Sequence, residues 1–290
     1  MNEPLALAVL GHGVVDPSRP WLFADDEAVL RGRAAFETLR VYGGAPFRLA
    51  SHLERLRNSA RVLRLPDPDT DGMADLGRQA VAAAGTADAA LRLVWTPGRP
   101  GGFPAGFALV TAIPPGLEGE RQRGTRLAAL ELAIGAHLRQ ASPWLLPGVK
   151  STSYAVNIAA QEEARRRGAD DAVFLSLEGI VLEGPISNIW FSEGGRVLTP
   201  ALALGILAGV TREALLDALA AGRVDVEQGE FTLSRLAAAD EVFTSSSVRE
   251  VMPVVELDGR PVGGGRPGPM AARMQAALRA EAVGEGSISP

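Results

Sequence analysis

The chain has 290 residues, 47% of them hydrophobic, which is enough for one large domain or two packed domains with a full core. A net charge of −5 argues against a nucleic-acid-binding protein, because such proteins normally carry a basic face. The lack of cysteine excludes disulfides, a thiolate nucleophile and sulfur-bound zinc, and three scattered histidines leave little for a histidine metal site.

Targeting and membrane signals are also missing from the sequence. No apolar run approaches the roughly 20 residues needed to cross a bilayer. Residues 1–11 lack the basic start and long apolar core of a signal peptide. We therefore expect a soluble, cytoplasmic protein that acts on a small molecule and binds neither nucleic acid, membrane nor metal.

The first part of the chain alternates strand and helix patterns. Ser51 is expected to N-cap a helix that reaches about Leu63, since Leu53, Leu56 and Ala60 share one face. A second helix is predicted over 71–84, and strands are predicted over 35–41, 89–95 and 107–113.

A change in composition marks a domain boundary. Residues 116–124 are polar, punctuated by glycine and without apolar periodicity, which is typical of a linker. The sequence therefore predicts a small N-terminal domain over 1–115, a linker over 116–124 and a larger domain over 125–290.

The larger domain again mixes helix and strand patterns. Thr211 is expected to N-cap a helix that reaches Ala221. Other predicted helices lie at 154–167, 234–239 and 269–282, and predicted strands at 172–177, 180–183, 189–192, 196–198, 241–244 and 251–257.

Lys150 is the one lysine in a chain whose other strongly basic side chains are all arginine. A lysine amine can form a Schiff base with an aldehyde, whereas a guanidinium cannot. The alternative interpretation is an ordinary solvated lysine.

Glu183 ends an apolar strand and precedes Gly184-Pro185, a junction where side chains often line a pocket. A carboxylate there requires a cationic partner, and a protonated pyridine nitrogen would be one. The alternative is a surface acid at the end of a strand.

Two turns have the composition of phosphate-binding sites. Residues 205–212 form a glycine-rich turn into a helix, where the N–H groups of Val210 and Thr211 and the threonine hydroxyl would face a phosphate. Residues 245–247 are three serines after a strand. An ordinary capped helix and an ordinary polar turn are the alternatives.

Together these segments resemble the class IV (fold type IV) pyridoxal 5′-phosphate (PLP) enzymes, which include branched-chain aminotransferases, D-amino-acid aminotransferases and aminodeoxychorismate lyases. The resemblance runs from about residue 25 to 259. The segments that carry it are 36–40, 52–56, Lys150, 183–184 with 187–188, 199–200, 205–212 and 245–253.

The resemblance implies an α/β (α+β) fold of two domains, similar to D-amino-acid aminotransferase. A small N-terminal α/β domain would be followed by a larger domain with a pseudo-barrel sheet. It also implies the cofactor PLP and a homodimer.

The family's site residues map onto matching positions of this chain. Lys150 corresponds to the Schiff-base lysine and proton shuttle, and Glu183 to the partner of the pyridine nitrogen. Arg55, Val210, Thr211 and Ser247 correspond to the phosphate-binding residues, Tyr154 to a neighbour of the phenolic oxygen, and His52 to a structural histidine.

Residues 150–157, 181–185 and 246–249 are most similar to aminodeoxychorismate lyases of high-GC bacteria, although Pro97-Gly98 departs from the Arg-Gly usual in them. Such a lyase converts 4-amino-4-deoxychorismate to 4-aminobenzoate and pyruvate for folate synthesis. Arg249, Arg92, Arg99 and Thr38 are candidate substrate-binding residues.

Two alternatives remain from the sequence. A class IV aminotransferase acting on branched-chain or D-amino acids with 2-oxoglutarate would use the same lysine. A small-molecule-binding protein with a vestigial fold would be expected to have lost Lys150, which is present.

Overall fold

The computed structural model describes residues 3–222 and 224–286, whose internal contacts separate two compact units. Unit 1 comprises the described residues of Met1–Pro115, Val149–Tyr154 and Ala282–Pro290. Unit 2 comprises those of Gly116–Gly148 and Ala155–Glu281. Lys150 thus groups with unit 1, whereas the sequence places it in the second domain.

Unit 1 is an antiparallel sheet accompanied by helices, with strand order β2-β1-β6-β5-β3-β4. The strands are β1 (Pro4–Val9), β2 (Gly13–Val15), β3 (Ala35–Tyr42), β4 (Ala45–Pro46), β5 (Ala89–Thr96) and β6 (Ala105–Thr111). The helices are α1 (Glu27–Arg31), α2 (Leu49–Val62) and α3 (Thr70–Ala84).

Helix α2 begins two residues before the predicted cap. Its N-cap is Arg48, in the left-handed region at φ 47°, and no side chain caps the helix. Ser51 lies inside α2, so the N-cap prediction was wrong. The tight β3–β4 hairpin fixes the start instead, because Phe47 N donates to Arg40 O and turns the chain into the helix. The buried face carries His52, Leu53, Leu56, Ser59 and Ala60, at helical spacing.

Unit 2 contains a mixed sheet in the order β11-β10-β9-β12-β13-β7-β8, with a short strand β14 on β13. The strands are β7 (Thr125–Glu131), β8 (Asp171–Leu175), β9 (Asn188–Glu193), β10 (Arg196–Pro200), β11 (Val226–Gly229), β12 (Glu241–Ser246), β13 (Glu250–Leu257) and β14 (Arg260–Pro261). The helices are α4 (Leu117–Arg123), α5 (Ala136–Ala141), α6 (Ala155–Arg166), α7 (Val210–Ala221), α8 (Leu233–Ala237) and α9 (Pro269–Gly286).

Three local predictions in this part differ from the structure. The stretch expected to be an irregular linker forms α4, flanked by Gly116 and Gly124. The expected strand over 180–183 makes only isolated bridges, through Ile180 and Val181. Helix α7 is preceded by Gly209 rather than capped by Thr211, which is its second residue.

The core of unit 2 lies beside the sheet and is made of large apolar side chains from several strands. Val173, Ile189, Phe191 and Leu198 are fully buried in it, and Phe231 meets Phe191 edge to face. Within residues 3–222 and 224–286, no helix is long and apolar enough to span a membrane.

Candidate active site

The backbone of Lys150 is held from two sides within unit 1. Its carbonyl accepts from Phe36 N at 3.1 Å, and its N–H donates to Ser59 Oγ at 3.2 Å. The next residues continue this attachment, since Ser151 bridges Ala35 at the start of β3. Strand β3 and helix α2 therefore together fix the position of the Lys150 backbone.

The Lys150 side chain lies over an aromatic face. Nζ is 4.6 Å from the centroid of the Phe36 ring, and the residue is half-buried. Tyr154 meets the same ring edge to face, with centroids 5.3 Å apart. Lys150 and Tyr154, both predicted from the sequence as cofactor-binding residues, therefore contact the same aromatic ring, that of Phe36.

Thr38 and Arg92 lie opposite each other on β3 and β5. Residues two apart on a strand share a face, so Thr38 is on the face of Phe36. The Arg92 guanidinium confirms the arrangement, lying 5.5 Å from the centroid of the Phe36 ring. Both predicted substrate residues therefore occupy the sheet face that carries Lys150 and Tyr154. Arg99 instead pairs with Asp25 at 2.8 Å and is half exposed.

Arg55 belongs to a buried polar cluster on unit 1. Its Nε donates to Glu37 Oε1 at 2.8 Å and its Nη2 to Glu37 Oε2 at 2.5 Å. His52 Nδ1 lies 2.7 Å from the same Oε2. Glu37 is 0% exposed and His52 is 1% exposed. Neither the glutamate nor the pairing was foreseen, because the contact joins a strand to a helix whose packing the sequence does not show.

Charge in this cluster is set by opposing effects. Burial alone would raise the pKa of Glu37, but the Arg55 charge, the hydrogen bonds from Arg55 and the hydrogen bond from His52 lower it to about 2. Burial lowers the pKa of His52 below its usual value, against the favourable Glu37 contact. At neutral pH a carboxylate, a guanidinium and a neutral imidazole therefore share the site.

Glu183 lies in unit 2, with one hydrogen-bond donor and one arginine charge beside its carboxylate. Oε2 accepts from Leu207 N at 2.9 Å, and Oε1 lies 3.5 Å from Arg139 Nη1. Its backbone carbonyl accepts from Phe174 N, which ties the residue to the end of β8. The carboxylate is partly buried and oriented by its surroundings. Arg139 was missed by the sequence analysis, since nothing in the sequence links positions 139 and 183.

The N-terminus of α7 is built around a glycine that has no room for a side chain. A Cβ on Gly209 would lie 2.1 Å from Asn188 Oδ1. Asn188 in turn donates from Nδ2 to Leu207 O at 2.9 Å. The N-cap of α7 is Gly209, which has no side chain to cap the helix, and Val210 and Thr211 in the first turn are buried. Leu207 therefore connects this helix start to Glu183.

Arg212 adds positive charge to the same turn. It is buried, donates to Pro200 O and to Gln228 Oε1, and loses enough solvation that its pKa falls to about 10. A helix N-terminus already favours anions, so a buried guanidinium there strengthens that preference.

The serine turn, residues 247–249 between β12 and β13, lies at the end of the unit 2 sheet where Asn188 begins β9. Ser245 is opposite Asn188 in the β12–β9 pairing, and Ser247 follows two residues later. Arg249 in this turn pairs with buried Asp171 at 2.8 Å and with Glu120 at 3.7 Å. Ser245, two residues before Ser247, is therefore joined through Asn188 to the start of α7.

Glu250 anchors the end of the serine turn. It adopts φ 58°, is 0% exposed and accepts from Arg121, Gln275 and Arg279 at 2.8–3.1 Å. Arg121 also donates to the carbonyls on either side, of Arg249 and Val251. A non-glycine residue at positive φ is strained, so these contacts maintain the turn.

The site can be compared with known proteins. Residues 34–257 match the family model described as amino-transferase class IV. A curated relative is the bifunctional aminodeoxychorismate lyase / D-amino acid transaminase of Mycobacterium tuberculosis, 34% identical over 265 residues that cover 88% of this chain and 92% of the relative.

Solved structures extend the likeness to the fold. A fold IV transaminase from Curtobacterium pusillum matches with a TM-score of 0.90 and 33% identity, covering 97% of this chain and 99% of that one. The PLP-bound form of a hypothetical aminotransferase from Mycobacterium tuberculosis matches with a TM-score of 0.91, 33% identity and the same coverage.

These matches confirm the fold class and the cofactor that the resemblance implied. Each unit contains groups of the kind that bind PLP: unit 1 has an amine suited to an aldehyde, and unit 2 has an oriented carboxylate suited to a ring nitrogen and a helix N-terminus suited to a phosphate. The chain belongs to the class IV aminotransferases, a family of fold type IV enzymes that use PLP.

Proposed function

We propose that this enzyme is an aminodeoxychorismate lyase, which converts 4-amino-4-deoxychorismate to 4-aminobenzoate and pyruvate for folate synthesis. The observation that carries the proposal is the M. tuberculosis relative, whose name includes this activity and which is similar over 88% of the chain. The lyase-like segments around Lys150, Glu183 and Ser247 support it.

The proposal gives each site residue a role toward PLP. Lys150 binds the aldehyde carbon through Nζ, and Tyr154 approaches the phenolic oxygen. Glu183 holds a proton at the ring nitrogen. Its Leu207 contact orients the carboxylate for that task.

The phosphate is assigned to four positions. The N–H groups of Val210 and Thr211 bind it at the start of α7, where the helix dipole favours a dianion. Ser247 donates its hydroxyl, and Arg55 supplies a guanidinium. The glycine N-cap of α7, which contributes no capping side chain of its own, supports this assignment.

PLP, when bound, supplies an electron sink for bonds at the amine-bearing carbon of the substrate. Lys150 Nζ would act as the base that takes the proton from the amine-bearing carbon of the substrate. Glu183 keeps the ring nitrogen protonated, which makes the sink effective. Phe36 covers one side of the lysine amine and keeps it in a partly desolvated position.

Substrate carboxylates require cations. Arg92 and Thr38 lie on the same sheet face as Lys150, which supports a substrate role for both. Arg249 is the third candidate, although its contact with Asp171 already occupies one edge of the guanidinium.

Direct product analysis tests the proposal. The purified enzyme with PLP is supplied with aminodeoxychorismate, and 4-aminobenzoate and pyruvate are measured. Formation of both in equal amounts, lost in Lys150→Ala, is the expected result. Failure to form 4-aminobenzoate, with active transamination in a parallel assay, would reject the lyase assignment.

A second activity is proposed because the same relative carries both names. The enzyme would transfer an amino group from a D-amino or branched-chain amino acid to 2-oxoglutarate, using Lys150 for the proton shift. Glutamate formation from D-alanine or leucine, measured in the same preparation, tests it. Family resemblance also leads us to propose that the enzyme is cytoplasmic and forms a homodimer. Light scattering would test the homodimer.

A further inference from the structure

We propose that Glu37 is a positioning residue of this enzyme, which sets the orientation of the Arg55 guanidinium for the phosphate of PLP. The inference rests on the proposed function, in which Arg55 binds that phosphate. Glu37 itself touches neither cofactor nor substrate in this account and acts through Arg55.

The geometry of the Glu37–Arg55 pair is bidentate. Two parallel contacts, Nε to Oε1 at 2.8 Å and Nη2 to Oε2 at 2.5 Å, join Arg55 to Glu37. Bidentate pairs of this kind fix the plane of a guanidinium as well as its distance. The Arg55 side chain is 11% exposed and Glu37 is 0% exposed, so water competes little for these contacts.

His52 contacts the same carboxylate. It lies one turn before Arg55 on α2, and both side chains reach the same carboxylate on β3. A neutral imidazole donates to Oε2 without adding a second positive charge. His52 therefore holds the Glu37 carboxylate in place, and the negative charge of Glu37 remains available to pair with Arg55.

The strand and helix that carry Glu37 and Arg55 also contact Lys150, whose amine is proposed to react with PLP. Lys150 Nζ lies over the ring of Phe36, which is next to Glu37 on β3. The Phe36 N–H donates to the Lys150 carbonyl. Ser59, one turn after Arg55 on α2, accepts the Lys150 N–H. The same strand and helix that Glu37 and Arg55 join therefore also place Lys150.

The energetics favour a role beyond packing. Burying an ion pair is usually no more stabilising than packing apolar residues of the same size, because both charges lose hydration. The fold of unit 1 would not require a buried carboxylate at position 37. A guanidinium that must be held in one orientation does require one.

The test compares PLP with pyridoxal, which has the aldehyde and ring but no phosphate. Dissociation constants of both are measured for the full-length apoenzyme and for Glu37→Gln, Arg55→Gln and Arg55→Lys. Asp88→Asn is the control, since it breaks the other bidentate arginine pair of β3, Arg40–Asp88.

Glu37→Gln is expected to weaken PLP about tenfold, which corresponds to about 1.4 kcal/mol, and to leave pyridoxal within about twofold. Arg55→Lys keeps the charge and loses the fork, so it is expected to show the same selective loss. Arg55→Lys also tests the proposal if Glu37→Gln does not fold. Asp88→Asn should alter neither constant.

The outcomes separate two failures. If Arg55→Gln does not weaken PLP selectively, Arg55 does not bind the phosphate and that part of the proposed function fails. If Arg55→Gln is selective while Glu37→Gln or Arg55→Lys binds PLP like the wild type, or weakens PLP and pyridoxal equally, the positioning role is overturned.

Discussion

Glu37 links protonation to stability at a single residue. Its pKa of about 2 in the folded protein lies below the ordinary value of 4.5, because Arg55 and His52 favour the charged form. A carboxylate with a depressed pKa stabilises the folded state above pH 4.5, and that stability is lost as the pH falls from 4.5 to 2.

We expect ionisation of Glu37 to raise the free energy of unfolding by about 3 kcal/mol between pH 2 and neutral pH. His52 acts in the same direction, since its lowered pKa means that stability is lost as the pH falls below 6.5. Urea unfolding at several pH values would show a shallower acid slope in Glu37→Gln than in the wild type. Equal slopes would contradict the assignment.

Arg249 is held by a buried partner, which predicts a structural effect when it is replaced. Arg249→Gln would leave Asp171, 3% exposed, without its guanidinium. Removing one partner of a buried pair typically costs about 3–5 kcal/mol. We expect a lower free energy of unfolding, measured in urea with Arg235→Gln as the partly exposed control. A raised KM with unchanged stability would instead favour a role in substrate binding alone.

Residue type explains which site residues the sequence could predict. Lys150 could be proposed as a site residue because no other lysine exists, and Glu183 because it follows an apolar strand. Arg139 and Glu37 could not be predicted, since their importance comes from neighbours 44 and 18 positions away in the chain. Such pairings are visible only after the strands and helices are packed.

At the level of elements, the start of α7 depends on a close approach. The Asn188 amide oxygen occupies the space where a side chain of residue 209 would begin. We expect Gly209→Ala to displace Asn188 or the helix start and to weaken PLP more than tenfold. Gly222→Ala, at the other end of α7, is a control whose new Cβ meets nothing closer than 3.3 Å. Equal PLP affinity in both variants would argue against phosphate binding at this helix.

The turn between β12 and β13 depends on Glu250. Glu250→Ala would leave the Arg121 guanidinium without its buried partner while the backbone stays strained at positive φ. A loss of about 3–5 kcal/mol is expected from urea unfolding. Asp258→Ala, at the exposed positive-φ turn after β13, is the control and should lose much less.

Element types were largely predictable, and their ends were not. Periodicity placed α2, α3, α7 and the main strands, because a buried face imposes its spacing on the sequence. The N-caps at Ser51 and Thr211 were wrong because tertiary contacts, a hairpin in one case and Asn188 in the other, decided where the helices begin. Residues 180–183 look like a strand, yet they pair only through isolated bridges.

For the molecule as a whole, family membership rests on a match over residues 34–257. That breadth explains why the fold class could be inferred from scattered motifs in the right order. The reaction is harder to infer, because lyase and transaminase share the lysine, the carboxylate and the phosphate site. Arg92 and Thr38, which we propose bind the substrate, are residue types that are common on any protein surface.

The central claim, that Lys150 binds PLP covalently, is tested most directly by borohydride reduction of the PLP-loaded enzyme followed by peptide mass spectrometry. The account predicts one phosphopyridoxyl adduct, on Lys150. It also predicts that Lys150→Arg, which keeps the charge but cannot form an imine, is not labelled. Labelling elsewhere with none on Lys150, or equal labelling of Lys150→Arg, would contradict it.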